Sequence, residues 1–288
     1  MSAVVGQPPA PAEGPPVPHG PGGLLRAELH RFRARRFVQV LFGLAVLGWL
    51  ATTVISLTRS GTFSFARNTG PGAIGFAVAG SALALVLGAT WIGAEWSTRS
   101  LVSLLFWEPR RVRVMAVKLA VLALGAALLG ILLQAAWLAT ASILDATAGD
   151  GRALPDGFWA DLLGTQARGV LLTVLAAVGG FGLTSLVRNT GAALGIGFVY
   201  FAVVETAVAI LRPAWQPWLL TSSIAGLVLP DGYTVVLGGE AVDPATGSLA
   251  GETGEILVGN LQGGMVLGLW AGAAVALGVV LFARRDVR

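Results

Sequence analysis

Long apolar stretches, separated by short charged ones, run through most of this 288-residue chain. A helix crosses the hydrocarbon core of a bilayer with about 20 apolar residues. Only 12% of the residues are charged, which is about half the usual share of a soluble domain. We therefore predict an all-α polytopic membrane protein whose six transmembrane helices lie near residues 37–58, 72–95, 115–143, 168–187, 191–211 and 264–283.

The part of the chain before the first span divides into two segments. Residues 1–23 consist largely of proline, glycine and alanine, which predicts a disordered tail. Residues 24–36 place Leu25, Leu29 and Phe32 on one helical face, as in an amphipathic helix that lies on a membrane surface. The charged positions of this interfacial helix that we select as candidate site residues are Arg26, Glu28, Arg31 and Arg33.

The charge distribution predicts an orientation. With the N-terminus inside, most of the 19 Lys and Arg residues fall in inner segments, as the positive-inside rule requires. Residues 37–288 then form one transmembrane domain with cytoplasmic segment 97–113, outer loop 212–262 and both termini in the cytoplasm. We predict a multi-pass protein of the bacterial inner (plasma) membrane. The net charge of +4 reflects this topology, so we expect the lipid bilayer and no nucleic acid as a partner.

Motifs for catalysis or cofactor binding do not occur in the sequence. It has no Cys, its two histidines (His19 and His30) stand apart from any ligand-spaced carboxylate, and it lacks the phosphate-cradling GxxxxGK[ST] loop. We therefore expect no catalytic residue, no metal and no bound cofactor, and a protein that is not an enzyme.

Two features inside the spans attract attention. Glu205 is a carboxylate well inside the fifth span, and such residues are functional candidates because a charge in lipid is costly. It is either an ion-handling residue or a hydrogen-bonded packing residue. Gly264, Gly268 and Gly272 recur every fourth position in the sixth span and predict a close helix contact, within the chain or between two copies.

The tetrapeptide Arg-Asn-Thr-Gly occurs twice, at residues 67–70 and 188–191, before the second and the fifth predicted spans. Two copies on opposite sides of a membrane fit an inverted repeat. We favour the simpler interpretation that Asn or Thr caps a helix in both places, because the flanking residues of the two copies do not match.

The segment between the second and third spans gathers charges within an apolar chain. Glu95 ends the second span, residues 97–107 suit a short amphipathic helix, and Pro109 ends it before three arginines. This pattern, G-x-E-x-(S/T) followed by P-R-R-x-R, resembles the permease subunits of ABC exporters of the ABC-2 type. The surface helix before span one, the six spans and the large outer segment before span six extend the resemblance over nearly the whole chain.

The resemblance implies a function. In such permeases the segment between spans two and three is a coupling helix that docks on a separate ATPase. Carried to this chain, the docking residues are Glu95, Ser97, Thr98, Arg99, Leu101, Leu104, Leu105, Trp107 and Glu108. The implied protein is the transmembrane permease of an ATP-driven exporter that pairs with a second permease chain, while the partner ATPase binds ATP and Mg²⁺. The alternatives are a stand-alone secondary transporter or channel that uses Glu205, and a non-transporting membrane partner.

Overall fold

The computed structural model describes residues 21–59, 61–98, 100, 110–237 and 254–284, and this part of the chain is mostly helical. Its helices are α1 (Pro21–Ala34), α2 (Arg36–Arg59), α3 (Phe65–Ser97), α4 (Arg111–Ala148), α5 (Phe158–Val187), α6 (Thr190–Val199), α7 (Glu205–Leu211), α8 (Leu220–Val228) and α9 (Asn260–Arg284). A π-helical turn (Tyr200–Val204) joins α6 to α7, and a 3-10 turn (Pro213–Trp218) precedes α8. Strands β1 (Tyr233–Leu237) and β2 (Gly254–Val258) form an antiparallel hairpin. The predicted tail lies almost wholly outside the described residues, as does the part of the outer loop between the two strands.

Six stretches of the described residues are long and apolar enough to cross a membrane, namely 36–58, 65–97, 111–148, 158–187, 190–211 and 260–284. The prediction of an all-α polytopic membrane protein is confirmed. Helix α4 has 38 residues, which at 1.5 Å per residue is roughly 57 Å, well above a hydrocarbon core of about 30 Å. This helix therefore continues beyond the bilayer.

The centre of the bundle consists of α3, α4 and α5, while the spans that contain α2 and α6–α7 lie at the periphery. Helices α3 and α5 share the most extensive contact among the described elements. A Cβ atom on Gly88 would lie 1.9 Å from the carbonyl oxygen of Ala177, and one on Gly180 would lie 2.3 Å from that of Leu85. Backbones approach this closely only where side chains are absent, so glycine sets the distance between the two helices.

Helix α1 packs against the bundle with its apolar face. Leu25 and Leu29 contact the core, and the buried ring of Phe32 fills the notch left by Gly125 on α4. The same ring lies edge-on to Trp91 at 5.1 Å between centroids. The leucine stripe that suits a membrane surface is therefore used for contact with protein.

The two Arg-Asn-Thr-Gly segments occupy different places in the helices that they accompany. Asn189 caps α6, because its side chain accepts a hydrogen bond from the backbone N–H of Ala192 at 2.9 Å. Asn68 lies inside the first turn of α3, which begins at Phe65. The shared letters thus do not mark equivalent structural positions.

Candidate functional site

The fifth span brings Glu205 into the interior of the protein. Its side chain is 4% exposed, although most of the surrounding span is exposed, and it is the first residue of α7 directly after the π-helical turn. A π-helical turn adds one residue to a helical turn, and such turns are common at functional sites. Here the wide turn precedes the residue that sequence reasoning selected inside this span.

Three donors surround the Glu205 carboxylate. The backbone N–H groups of Leu220 and Thr221 donate to it at 2.7 Å and 3.2 Å, respectively. The hydroxyl of Thr221 also donates to it, and the side chain of Tyr200 lies close enough to interact with it electrostatically. Leu220 and Thr221 are the first two residues of α8, whose N–H groups have no partner within their own helix.

This arrangement is chemically a site for an anion. A helix N-terminus presents unpaired N–H groups and a partial positive charge, and both favour a negatively charged group. Glu205 supplies that group from another helix, so it also serves as the cap of α8. The hydroxyl of Ser223 on the same helix is fully buried and has no hydrogen-bond partner among the described residues.

A cleft of about 460 Å³ lies beside this carboxylate. Its walls are mostly aromatic and aliphatic, and Trp270 from α9 lies 5.8 Å from the ring of Tyr200. The lining residues are Tyr200, Val204, Val208, Trp215, Trp218, Leu219 and Trp270. Tyr200 therefore connects the cleft to the buried anionic group.

The α8 helix is held in place from its other end. The side-chain nitrogen of Asn260, at the start of α9, lies within 2.7–3.1 Å of the carbonyl oxygens of Gly226, Leu227 and Leu229. These carbonyls lie at the C-terminal end of α8, where no intrahelical N–H remains for them. Asn260 thus fixes the helix whose first turn binds Glu205.

A second polar cluster lies at the opposite end of the bundle, around Lys118. Its fully buried Nζ lies 3.0 Å from Glu28 Oε2 and 3.4 Å from Glu95 Oε1. Arg31 adds an ion pair of 2.7 Å to Glu28, and Arg35 pairs with Glu95. We call these five residues the inner charge network.

The inner charge network joins three helices. The guanidinium of Arg35 lies 4.5 Å from the centre of the Trp91 ring and donates to the Trp91 carbonyl at 3.1 Å. Ser100 donates to Glu95 as well. The network brings together three residues that we selected from the sequence, namely Glu28, Arg31 and Glu95. Lys118, which lies at the centre of the network, was not among the selected residues. The isolated position of that lysine, the only one in the chain, is the signal that was available.

The predicted docking segment is only partly described. Glu95 is 1% exposed and paired within the protein, so its carboxylate is not available at the surface for a partner. Ser97 and Thr98 are exposed and donate to the carbonyl of Ala94. Arg99, Leu101, Leu104, Leu105, Trp107 and Glu108 lie outside the described residues.

The glycines predicted to form a packing seam occupy a different face of α9 from the one that packs. Nothing lies within 4 Å of a Cβ placed on Gly268 or Gly272, and Gly264 meets only the end of the Leu227 side chain. The close approaches are made by Gly263 and Gly278. A Cβ on Gly263 would lie 2.5 Å from the Ser223 carbonyl oxygen, and one on Gly278 would lie 2.8 Å from the Ser185 Cβ. The seam therefore makes no tight contact among the described residues of this chain.

Metal binding has no candidate in the described part of the chain, where no three His, Asp or Glu residues lie close enough to share an ion. The interfacial-helix residues Arg26 and Arg33 are exposed on α1. Most of the described predicted site residues thus separate into the Glu205 site, the inner charge network and the surface of α1, whereas Ser97, Thr98 and the three glycines of α9 belong to none of these groups.

No family model matches the chain. It is 38% identical over 109 residues to the fluoride-specific ion channel FluC 2 of Geobacillus kaustophilus, and these residues cover 37% of this chain and 77% of that protein. The similarity to an ion channel contradicts the prediction of an ATP-driven exporter permease and the prediction of a partner ATPase. It favours the alternative, a stand-alone channel or transporter.

Proposed function

This chain belongs to the family of the fluoride-specific ion channel FluC 2, and we propose that it is a stand-alone membrane channel for fluoride or another small anion. The observation that carries the proposal is the 38% identity over 77% of that channel. The six membrane-spanning segments agree with it. Transport of this kind needs neither covalent chemistry nor ATP.

The Glu205 site supports an anion as the transported ion. An anion that leaves water must find hydrogen-bond donors in the protein, because an unpaired charge is costly in a medium of low dielectric constant. Two N–H groups and one hydroxyl already converge on one negatively charged side chain there. In our proposal a permeating anion takes over these donors when the Glu205 side chain moves away from them.

A proton-coupled transporter is the second candidate. Intramembrane carboxylates are typical of proton relays in transporters, and Glu205 is buried within a span. The two candidates differ in one measurable property. A channel conducts its ion down the gradient at any pH difference, whereas a coupled transporter moves the ion in proportion to the proton gradient.

The test uses the full chain in liposomes loaded with potassium fluoride or potassium chloride, with an electrode selective for the loaded anion outside and valinomycin to carry the compensating potassium. Without ATP we expect fluoride release well above protein-free liposomes, and little release when chloride replaces fluoride. Release that appears only under a pH gradient would favour the transporter. Folded, reconstituted protein that releases neither anion would refute both candidates.

A matched pair of variants connects the flux to the site. Thr221→Val removes one hydroxyl donor from the Glu205 site, and a hydrogen bond to a charged group contributes about 1.5–3 kcal/mol. We expect the rate of fluoride release to change by about ten-fold or more. Thr206→Val is the control, because Thr206 is exposed on the same span and bonds only to the carbonyl of Ala202. If the two variants released fluoride at equal rates, the Glu205 site would not control the flux.

A further inference from the structure

The face of α1 that points away from the helix bundle carries a stripe of basic side chains. Arg26, His30 and Arg33 are exposed and follow one another at i, i+4 and i+7, which places them on one side of the helix. Arg36, the first residue of α2, is exposed as well. The stripe lies away from the face that Leu25 and Phe32 turn to the bundle, so the packing of α1 leaves it open.

The acidic residue of α1 is buried and does not contribute charge to the exposed surface of the helix. Glu28 is the single acidic residue in Pro21–Ala34, and it is 1% exposed. The buried ammonium of Lys118 holds both of its carboxylate oxygens, at 3.1 Å and 3.0 Å. The negative charge that would neutralise the arginines in an isolated helix is therefore turned inward, and the outward side of α1 has no acidic residue of its own.

The position of the stripe identifies its partner. Span one begins at Arg36, so Arg33 lies three residues before the hydrocarbon region and Arg26 two further turns away. Basic residues next to the start of a span are expected at the level of the phospholipid headgroups. Guanidinium groups bind phosphate through two parallel hydrogen bonds, and clusters of basic residues next to a span bind anionic lipid.

We propose that the exposed basic stripe of α1 (Arg26, His30, Arg33 and Arg36) binds the headgroups of anionic phospholipids. The inner charge network positions the helix for this contact, because it pulls Glu28 inward and holds the apolar face of α1 on α4. The inference is independent of which ion the protein conducts. It makes α1 a lipid-recognising element rather than a passive interfacial helix.

The absence of cysteine from the sequence allows a site-specific test. Ala34→Cys, on the exposed side of α1, is labelled with a fluorophore in the full chain and reconstituted in phosphatidylcholine vesicles that contain phosphatidylglycerol. Brominated phosphatidylglycerol and brominated phosphatidylcholine are compared as quenchers at the same mole fraction. A label at Thr58→Cys, near the other end of α2, is the control site, and symmetric vesicles make the orientation of the protein irrelevant.

We expect brominated phosphatidylglycerol to quench the Ala34→Cys label several-fold more strongly than brominated phosphatidylcholine, because each arginine at an anionic surface strengthens association about five-fold. The label at Thr58→Cys should show little preference. Replacing Arg26, Arg33 and Arg36 by Gln should bring the ratio at Ala34→Cys close to one, whereas Arg152→Gln should leave it unchanged.

Salt provides a measurement on the unmodified stripe, so the test does not depend on whether the triple variant folds. Raising the ionic strength to about 1 M shortens the Debye length to about 3 Å and should remove most of the preference. Equal quenching by the two lipids at low salt, or a preference that survives both the salt and the three substitutions, would overturn the proposal.

Discussion

Replacing Lys118 by Met tests whether the inner charge network holds α1 on the bundle. Methionine keeps the length of the aliphatic side chain and removes the ammonium, which is fully buried between Glu28 and Glu95. The loss of one partner from a buried ion pair destabilises a protein by about 3–5 kcal/mol, because the remaining charge stays in a poor solvent. Each carboxylate retains one arginine, so we expect the lower end, about 3 kcal/mol.

The assay is equilibrium unfolding in mixed micelles, followed by tryptophan fluorescence, since Trp91 lies against the network. A change of about 3 kcal/mol corresponds to a shift of more than a hundred-fold in the unfolding equilibrium. Arg152→Gln is the matched control: its ion pair with Asp150 spans 3.5 Å, but the arginine side chain is 69% exposed, and such pairs contribute little.

A double-mutant cycle with Glu28→Gln separates the pair from the rest of the network. If Lys118 and Glu28 stabilise each other, the double variant should lose clearly less than the sum of the two single losses. A Lys118→Met variant that unfolds as Arg152→Gln does would show that the charges are not energetically coupled, and the reasoning would be wrong.

Two further substitutions probe the packing of the central bundle and the anchoring of α8. Gly180→Ala should destabilise the bundle by about 1–3 kcal/mol in the same unfolding assay, because the new Cβ meets the backbone of α3. Gly179→Ala, with open space around it, should change stability little, and equal effects would contradict the close crossing. Asn260→Ala should remove one donor from the three carbonyls at the end of α8, at a cost of about 1–3 kcal/mol, and lower the proposed fluoride flux. A variant as active and as stable as the native chain would show that α8 does not need this anchor.

The spans could be predicted from the sequence because length and apolar composition decide them, and neither depends on the neighbours of a helix. The orientation of α1 could not be predicted in the same way. A stripe formed by Leu25, Leu29 and Phe32 suits lipid and protein equally, and only the notch at Gly125 and the pairing of Glu28 with Lys118 decide between them. Both decisive residues lie some 90 positions away in the sequence.

The glycines show a related limit. Glycine spacing every fourth residue identifies a smooth helical face, but it does not say whether that face meets another helix. The tight contacts of α9 involve Gly263 and Gly278, which have no such spacing, while Gly268 and Gly272 have open space. The packing of the whole bundle sets the rotation of each helix about its axis. This rotation therefore cannot be predicted from the sequence of one helix alone.

For the candidate site, the sequence indicated one residue and none of its partners. Glu205 stands out because carboxylates are rare inside spans. Its donors follow after a loop, at Leu220 and Thr221, and nothing in their own residue types predicts contact with an anion. The exporter function that we inferred from the order of features along the chain was contradicted by the similarity to an ion channel. Such an order constrains the topology of a membrane protein more than its transport chemistry. The predicted cytoplasmic position of both termini stays a prediction.

The packing of the bundle restricts where an ion path can run. Helices α3 and α5 touch through their backbones at Gly88 and Gly180, and no space for a hydrated or partly hydrated ion exists between surfaces that exclude even a methyl group. The cleft beside Glu205 instead lies between the fifth span, the 3-10 turn before α8 and α9, where contacts are looser. Tyr200 lines this cleft and interacts with Glu205, whose carboxylate accepts from the N-terminal N–H groups of α8, so the cleft lies next to these donors. In the proposed channel, selection of the ion is therefore expected at the peripheral span that contains Glu205, while the three central helices provide the rigid frame.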